Sequence, residues 1–161
     1  MKNTPQFVIA VLFFAGCASS TADSSCASTG TKWTGGNSAS SVMNPGMDCI
    51  ACHTNGHGPR FAVAGTVYSS LTDADTCDGL YQVSVELKAV DTGETVTATS
   101  NSAGNFYLTS NQMFKAGTKF TARVITPNGA RAMVTQQTNG ACNSCHTATG
   151  LNGAPGRIVT P

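Results

Sequence analysis

The chain has 161 residues, of which 11% are charged, and nine Lys or Arg against eight Asp or Glu leave a net charge of +1. That length accommodates one domain with extensions, and the charge balance offers no electrostatic footprint for nucleic acid. Thr, Ser, Gly, Ala, Asn and Val dominate while strong helix formers are scarce, a composition that favours strands and turns.

Residues 1–16 read as an export signal. Lys2 gives a short positive start, and the apolar run from Phe7 to Ala15 is too short to span a bilayer. The run ends in Phe14-Ala15-Gly16-Cys17, which resembles a bacterial lipoprotein box, with Phe14 where a leucine is usual. The resemblance implies cleavage before Cys17 and a lipid on its sulfur, anchoring the protein to a membrane. Ordinary cleavage near Ala18 or Ala22, giving a soluble periplasmic protein, is the alternative. Ala18 is not the aspartate associated with inner-membrane retention, so the expected address is the outer membrane, facing the periplasm or the cell surface. Residues 17–41 are rich in Ser, Thr and Gly and read as a flexible tether, with Trp33 as its lone aromatic.

Residues 42–60 hold Cys49-Ile50-Ala51-Cys52-His53, and residues 136–161 hold a second copy, Cys142-Asn143-Ser144-Cys145-His146. Two thiols three positions apart, followed at once by an imidazole, form the attachment pattern of c-type haem. Each sulfur adds to one haem vinyl group, and the adjacent histidine, His53 or His146, reaches the iron as proximal ligand. Pro45-Gly46 turns the chain before the first copy, and Gly56, Gly58 and Pro59 stop the helix there after about one turn. A redox disulfide or a zinc site from Cys49, Cys52, His53 and His57 is the competing reading. A redox motif has no use for the trailing histidine, and zinc leaves the second copy one ligand short. Two covalent c-type haems are therefore the expected cofactors. The motifs resemble those of small multihaem c-type cytochromes. That resemblance covers the two motifs alone and implies an electron carrier, with other cytochromes or envelope redox proteins as partners.

A sixth iron ligand has few sources. His57 is the one remaining histidine, and methionine is the other common choice. An extended chain covers about 3.3–3.6 Å per residue, so Met47, roughly 7 Å of chain before Cys49, cannot loop round to the far face. Met43 lies roughly 20 Å of chain before Cys49, and Met133 precedes Cys142 by more. Met43, Met133 and His57 are the candidate distal ligands, with hydrophobic packing as the competing use of the methionines. Arg60 and Arg157 follow the motif-flanking turns and are candidates to pair with propionates, or are simply exposed.

Residues 61–135 change to a period of two. Phe61, Val63, Gly65 and Val67 alternate with Ala62, Ala64, Thr66 and Tyr68; Val83, Val85 and Leu87 alternate with Ser84, Glu86 and Lys88. Thr95 to Thr99, Phe106 with Leu108, and Phe120 to Val124 continue the pattern between Gly- and Asn-containing turns. Short strands at this spacing argue for an antiparallel sandwich. Ala64-Gly65-Thr66-Val67-Tyr68, Val83-Ser84-Val85-Glu86-Leu87, and Thr99 to Leu108 with its Gly104-Asn105-Phe106-Tyr107 turn and strand resemble the carboxypeptidase regulatory-like domain family. The resemblance implies a mainly β, seven-stranded, Greek-key sandwich without an active site, here flanked by two short haem-binding segments. Asp73, Asp75 and Asp78 precede Gly79 but miss the standard calcium-loop spacing by one residue, so an acidic loop tip is expected. Arg157-Ile158-Val159 reads as an edge strand.

Of seven cysteines, four belong to the motifs and Cys17 to the lipid, leaving Cys26 and Cys77. An oxidising exported setting makes a disulfide between them the expectation, with a free or intermolecular Cys26 as the alternative. With so few histidines there is little from which to build distal acid–base catalysis, so a peroxidase or gas-binding role is disfavoured against electron transfer. A structural or adhesion role, with haems serving self-association or a filament, is the other alternative.

Overall fold

The computed structural model describes residues 24–26 and 29–161, so the signal segment and Cys17 with its expected lipid lie outside the described residues. Among the described residues the chain is mainly β. The strands are β1 (Phe61–Tyr68), β2 (Ser84–Ala89), β3 (Thr95–Thr99), β4 (Asn105–Thr109), β5 (Phe120–Thr126), β6 (Gly129–Ala132) and β7 (Ile158–Val159). The one α-helix among the described residues is short, α1 (Cys49–Thr54). No helix described is long and apolar enough to cross a membrane.

The strands form a three-stranded sheet ordered β4-β1-β7 and a four-stranded sheet ordered β3-β2-β5-β6. All pairings but one are antiparallel; β7 runs parallel to β1, with Val67 opposite Ile158 and Tyr68 opposite Val159. Alternation explains the second sheet. Val85, Leu87 and Ala89 of β2 point inward, while Ser84, Glu86 and Lys88 point out, and Arg123 of β5 pairs with Glu86 opposite it at 2.8 Å. Val63 and Val67 of β1, Phe106 and Leu108 of β4, Val85 and Leu87 of β2, and Phe120 and Val124 of β5 share one apolar core. Fully burying each such side chain contributes about 1.5–3 kcal/mol.

β1 departs from simple alternation: every residue from Val63 to Tyr68 is buried. Its other face is covered too. Thr66 lies under Gly46 and Asn143, and Tyr68 lies under the guanidinium of Arg157, 5.0 Å from the ring centre. Residues 42–60 and 136–161 thus pack over the same strand, because β7 brings the C-terminal end of the chain beside β1.

The segment expected as a loose tether is fastened within its described part. Cys26 and Cys77 form a disulfide with Cα atoms 5.5 Å apart, Gly30 N–H donates to Asp78, and Cys77 N–H donates to Thr31 O. Trp33 folds back on its own loop, its Nε1–H donating to Gly36 O at 2.9 Å.

Candidate functional site

The first motif is a capped single turn and a half. The Asp48 carboxylate accepts the Ala51 N–H at 3.1 Å, satisfying one of the orphan donors at the start of α1. Helical spacing then puts Cys49, Cys52 and His53 on one face, at i, i+3 and i+4. Cys49 is half-buried, Cys52 is exposed, and His53 is 8% exposed. The chain leaves the helix through Asn55 and turns at Gly56 and Gly58, both with positive φ. That turn delivers the carbonyl of Pro59 to His53 Nδ1 at 2.8 Å. A carbonyl can only accept, so Nδ1 carries the proton and Nε2 is the free lone pair. The ring rests on Phe61, with centroids 4.5 Å apart, and Phe61 stacks at 4.5 Å on half-exposed Tyr107.

The second motif repeats the arrangement with a tighter turn. Cys142–Ser144 is a 3-10 turn, and His146 N–H closes back to Cys142 O at 3.0 Å. Cys142 lies against Gly65 of β1; a Cβ built on Gly65 would approach Cys142 Cβ to 2.9 Å, so the strand is glycine where the motif crosses it. The Pro155-Gly156 turn returns a carbonyl to the ring: His146 Nδ1 donates to Gly156 O at 2.9 Å. In both copies, then, a turn rich in Gly and Pro holds the imidazole by Nδ1. No described group hydrogen-bonds either Nε2, and no buried side-chain nitrogen lacks a partner, so each Nε2 reaches the surface. This is how a protein presents a histidine to a metal: the outer partner fixes the tautomer and aims the ring.

The two motifs meet over Thr66, which is fully buried. Thr66 Oγ1 donates to Asn105 Oδ1 at 2.8 Å and accepts from Gly46 N–H at 2.9 Å and from Asn143 Nδ2 at 3.0 Å. Asn143 Oδ1 takes the Thr66 N–H at 3.1 Å, and its Nδ2 also donates to Met47 O at 3.0 Å. Burial pushes the Cys142 thiol up to about 12, and the nearby Cys49 adds to the shift; burial likewise pushes Cys49 up to about 11. Thiol–disulfide catalysis relies on a depressed thiol pKa, the opposite of the direction at Cys49 and Cys142. Among the described residues no three His, Cys, Asp or Glu side chains gather as a metal cluster.

Comparison with protein-family models, curated protein sequences and solved structures returns no match. What the site can do therefore rests on its own residues. Of the candidate distal ligands, Met43 and Met133 are half-buried and His57 is exposed on the turn after α1. Met43 O accepts from Asn105 Nδ2 at 2.9 Å, and Met133 N–H donates to Ala122 O at 2.8 Å, so both are fixed by backbone. Arg60 is exposed. Arg157 is 3% exposed and is consumed internally: it pairs with Asp75 and donates to Asp73 O, Gly46 O and His146 O. The acidic loop does not converge on one point. Asp73 accepts from Ser69 and Ser70, Asp75 from Arg157, and Asp78 from Gly30 and Thr76. Sequence reasoning missed Thr66, Asn105 and Asn143, the polar hub beneath the motifs. Their one sequence signal is Thr66, a polar residue in an otherwise apolar strand, on the face opposite Val63 and Val67.

Proposed function

We propose that the chain is an exported di-haem c-type cytochrome that carries electrons between envelope redox partners, anchored through a lipid on Cys17. Its β structure is proposed to be a seven-stranded Greek-key sandwich of the carboxypeptidase regulatory-like kind. Cys49 and Cys52 would hold one haem and Cys142 and Cys145 the other, with His53 and His146 as proximal ligands. The observation that carries the reading is the matched pair of imidazoles, each held by Nδ1 on a backbone carbonyl, at 2.8 and 2.9 Å, with Nε2 left open. When bound, a haem supplies an iron centre that cycles between ferric and ferrous.

The chain's own residues do the rest. Pro59 O and Gly156 O orient the rings and leave Nε2 as the nitrogen turned toward iron. Phe61 backs the His53 ring and Gly65 gives Cys142 room against β1. Met43 and Met133 are the proposed sixth ligands, and His57 the alternative. With His57 the one histidine beyond the two motifs, there is little from which to build distal acid–base catalysis, so electron transfer is favoured over peroxidase chemistry. Absorption and EPR spectra of the purified protein test this. Low-spin iron, unchanged by cyanide or carbon monoxide, is the expected result; high-spin iron that binds either ligand would refute the carrier role.

A further inference from the structure

Asn143 occupies one of the two positions between the cysteines of its motif, where the attachment pattern asks for no particular residue. In this fold it uses its whole amide. Oδ1 accepts the Thr66 N–H, and Nδ2 donates both to Thr66 Oγ1 and to Met47 O, at 3.0–3.1 Å. The side chain is 4% exposed. The two corresponding positions of the first motif, Ile50 and Ala51, carry no polar side chain. We propose that Asn143 is a positioning residue that clamps the two attachment segments into one paired site, so that the two haems are neighbours within a single chain.

This rests on the reading of the motifs given above and goes further, because nothing in two attachment motifs requires them to meet. Asn143 adjoins Cys142, and Met47 is two residues before Cys49. At 3.8 Å per residue, the path from Cys142 through the 3.0 Å bond to Cys49 is at most roughly 20 Å between Cα atoms. Met47, Asp48, Asn143, Ser144, Thr147 and Arg157 line one open cleft. Thr66 anchors both sides of it, bonding Gly46 ahead of the first motif and Asn143 inside the second. The two attachment segments are thus held side by side within one chain.

Circular dichroism in the Soret region of the haem-loaded protein reads the pairing directly, since neighbouring chromophores split each other's band. The wild type is expected to show a bisignate couplet that is absent from the summed spectra of the Cys49→Ala/Cys52→Ala and Cys142→Ala/Cys145→Ala variants. Asn143→Asp keeps the acceptor toward Thr66 N–H and loses the donor to Met47. Asn143→Ser is too short to reach Met47. Both are expected to retain two haems by mass and native far-ultraviolet β signal, with the couplet reduced at least twofold. Two haems with a wild-type spectrum equal to the sum, or a couplet unchanged in either folded variant, would overturn the proposal. Loss of folded protein in both variants would make Asn143 a stability residue and overturn the positioning role. A wild-type chain whose mass includes no haem would instead overturn the reading of the motifs themselves.

Discussion

Gly58 should be far more sensitive to an added side chain than Gly56, its neighbour in the turn after α1. The φ of Gly58, +115°, lies outside the region open to residues with a Cβ. A Cβ placed there would come within 2.9 Å of His53 Cε1 and 3.0 Å of Nδ1, closer than real carbons approach. Backbone strain of this kind costs about 1–3 kcal/mol. The neutral hydrogen bond from Nδ1 to Pro59 O, displaced with the ring, adds about 1 kcal/mol. Gly58→Ala is therefore expected to lose about 2–4 kcal/mol, against a total stability for such a domain of about 5–15 kcal/mol. Gly56→Ala is the matched control: its φ is +85°, but no atom lies within 4 Å of the added methyl. It should lose only the strain, about 1–2 kcal/mol. Thermal unfolding measures the difference, roughly 10 °C or less for 2 kcal/mol in a domain of this size. The NMR signal of the His53 Nδ1 proton reports the ring itself and should shift or vanish in Gly58→Ala alone. Equal losses in the two variants, or an unmoved His53 signal in Gly58→Ala, would refute the claim that this turn seats the imidazole.

Three further outcomes are expected. Thr66→Val keeps shape but strips partners from buried Gly46 N–H and Asn105 Oδ1, so urea unfolding should show a loss of about 2–5 kcal/mol; an unchanged midpoint would remove Thr66 as the hub. Replacing Cys77 with Ser opens a loop closed across a sequence separation of 51, worth up to about 4 kcal/mol in the chain-entropy account, and melting with and without reductant should show that loss in the wild type but not in the variant. The half-buried thiols of Cys49 and Cys142 predict an alkaline effect. In the haem-free chain the folded pKa values of Cys49 and Cys142 are raised from 9.0 to about 11 and about 12, so the unfolded state releases protons first and stability falls as pH rises from about 9 toward 12. Once the sulfurs are thioethers they no longer titrate, so comparison of haem-free and haem-loaded protein across that range should show this loss only in the former.

The strands were legible where alternation met a single buried face. β2 and β3 follow their apolar positions because each has one side on the core. β1 was legible in extent but not in environment: alternation suggests one wet face, yet both are covered, since its second cover comes from residues 42–60 and 136–161, far away in sequence. β6 gave no signal, as all four of its residues are exposed and none is a strong strand former. It exists because the short turn at Pro127 and Asn128 folds it back on β5. The parallel β1–β7 pairing was equally hidden, since two residues carry no directional pattern. For the site, the motif residues themselves are local and were readable at a glance. The carbonyls that hold them are not: Pro59 and Gly156 read only as helix stops and turns, and their second role depends on where the turn ends in space. Arg157 illustrates the same limit. Its side chain reads as an exposed cation, but the parallel strand carries it beneath the second motif, where four residues from three separate segments supply its acceptors.

The central claim is that porphyrin is joined to Cys49, Cys52, Cys142 and Cys145. Intact-protein mass spectrometry, on material purified from a bacterial host able to mature c-type haem, tests it most directly. The account predicts the mass of the processed chain plus two haems, falling by one haem in Cys49→Ala/Cys52→Ala and by one in Cys142→Ala/Cys145→Ala. A mass equal to the processed polypeptide with its acyl chains alone would contradict it.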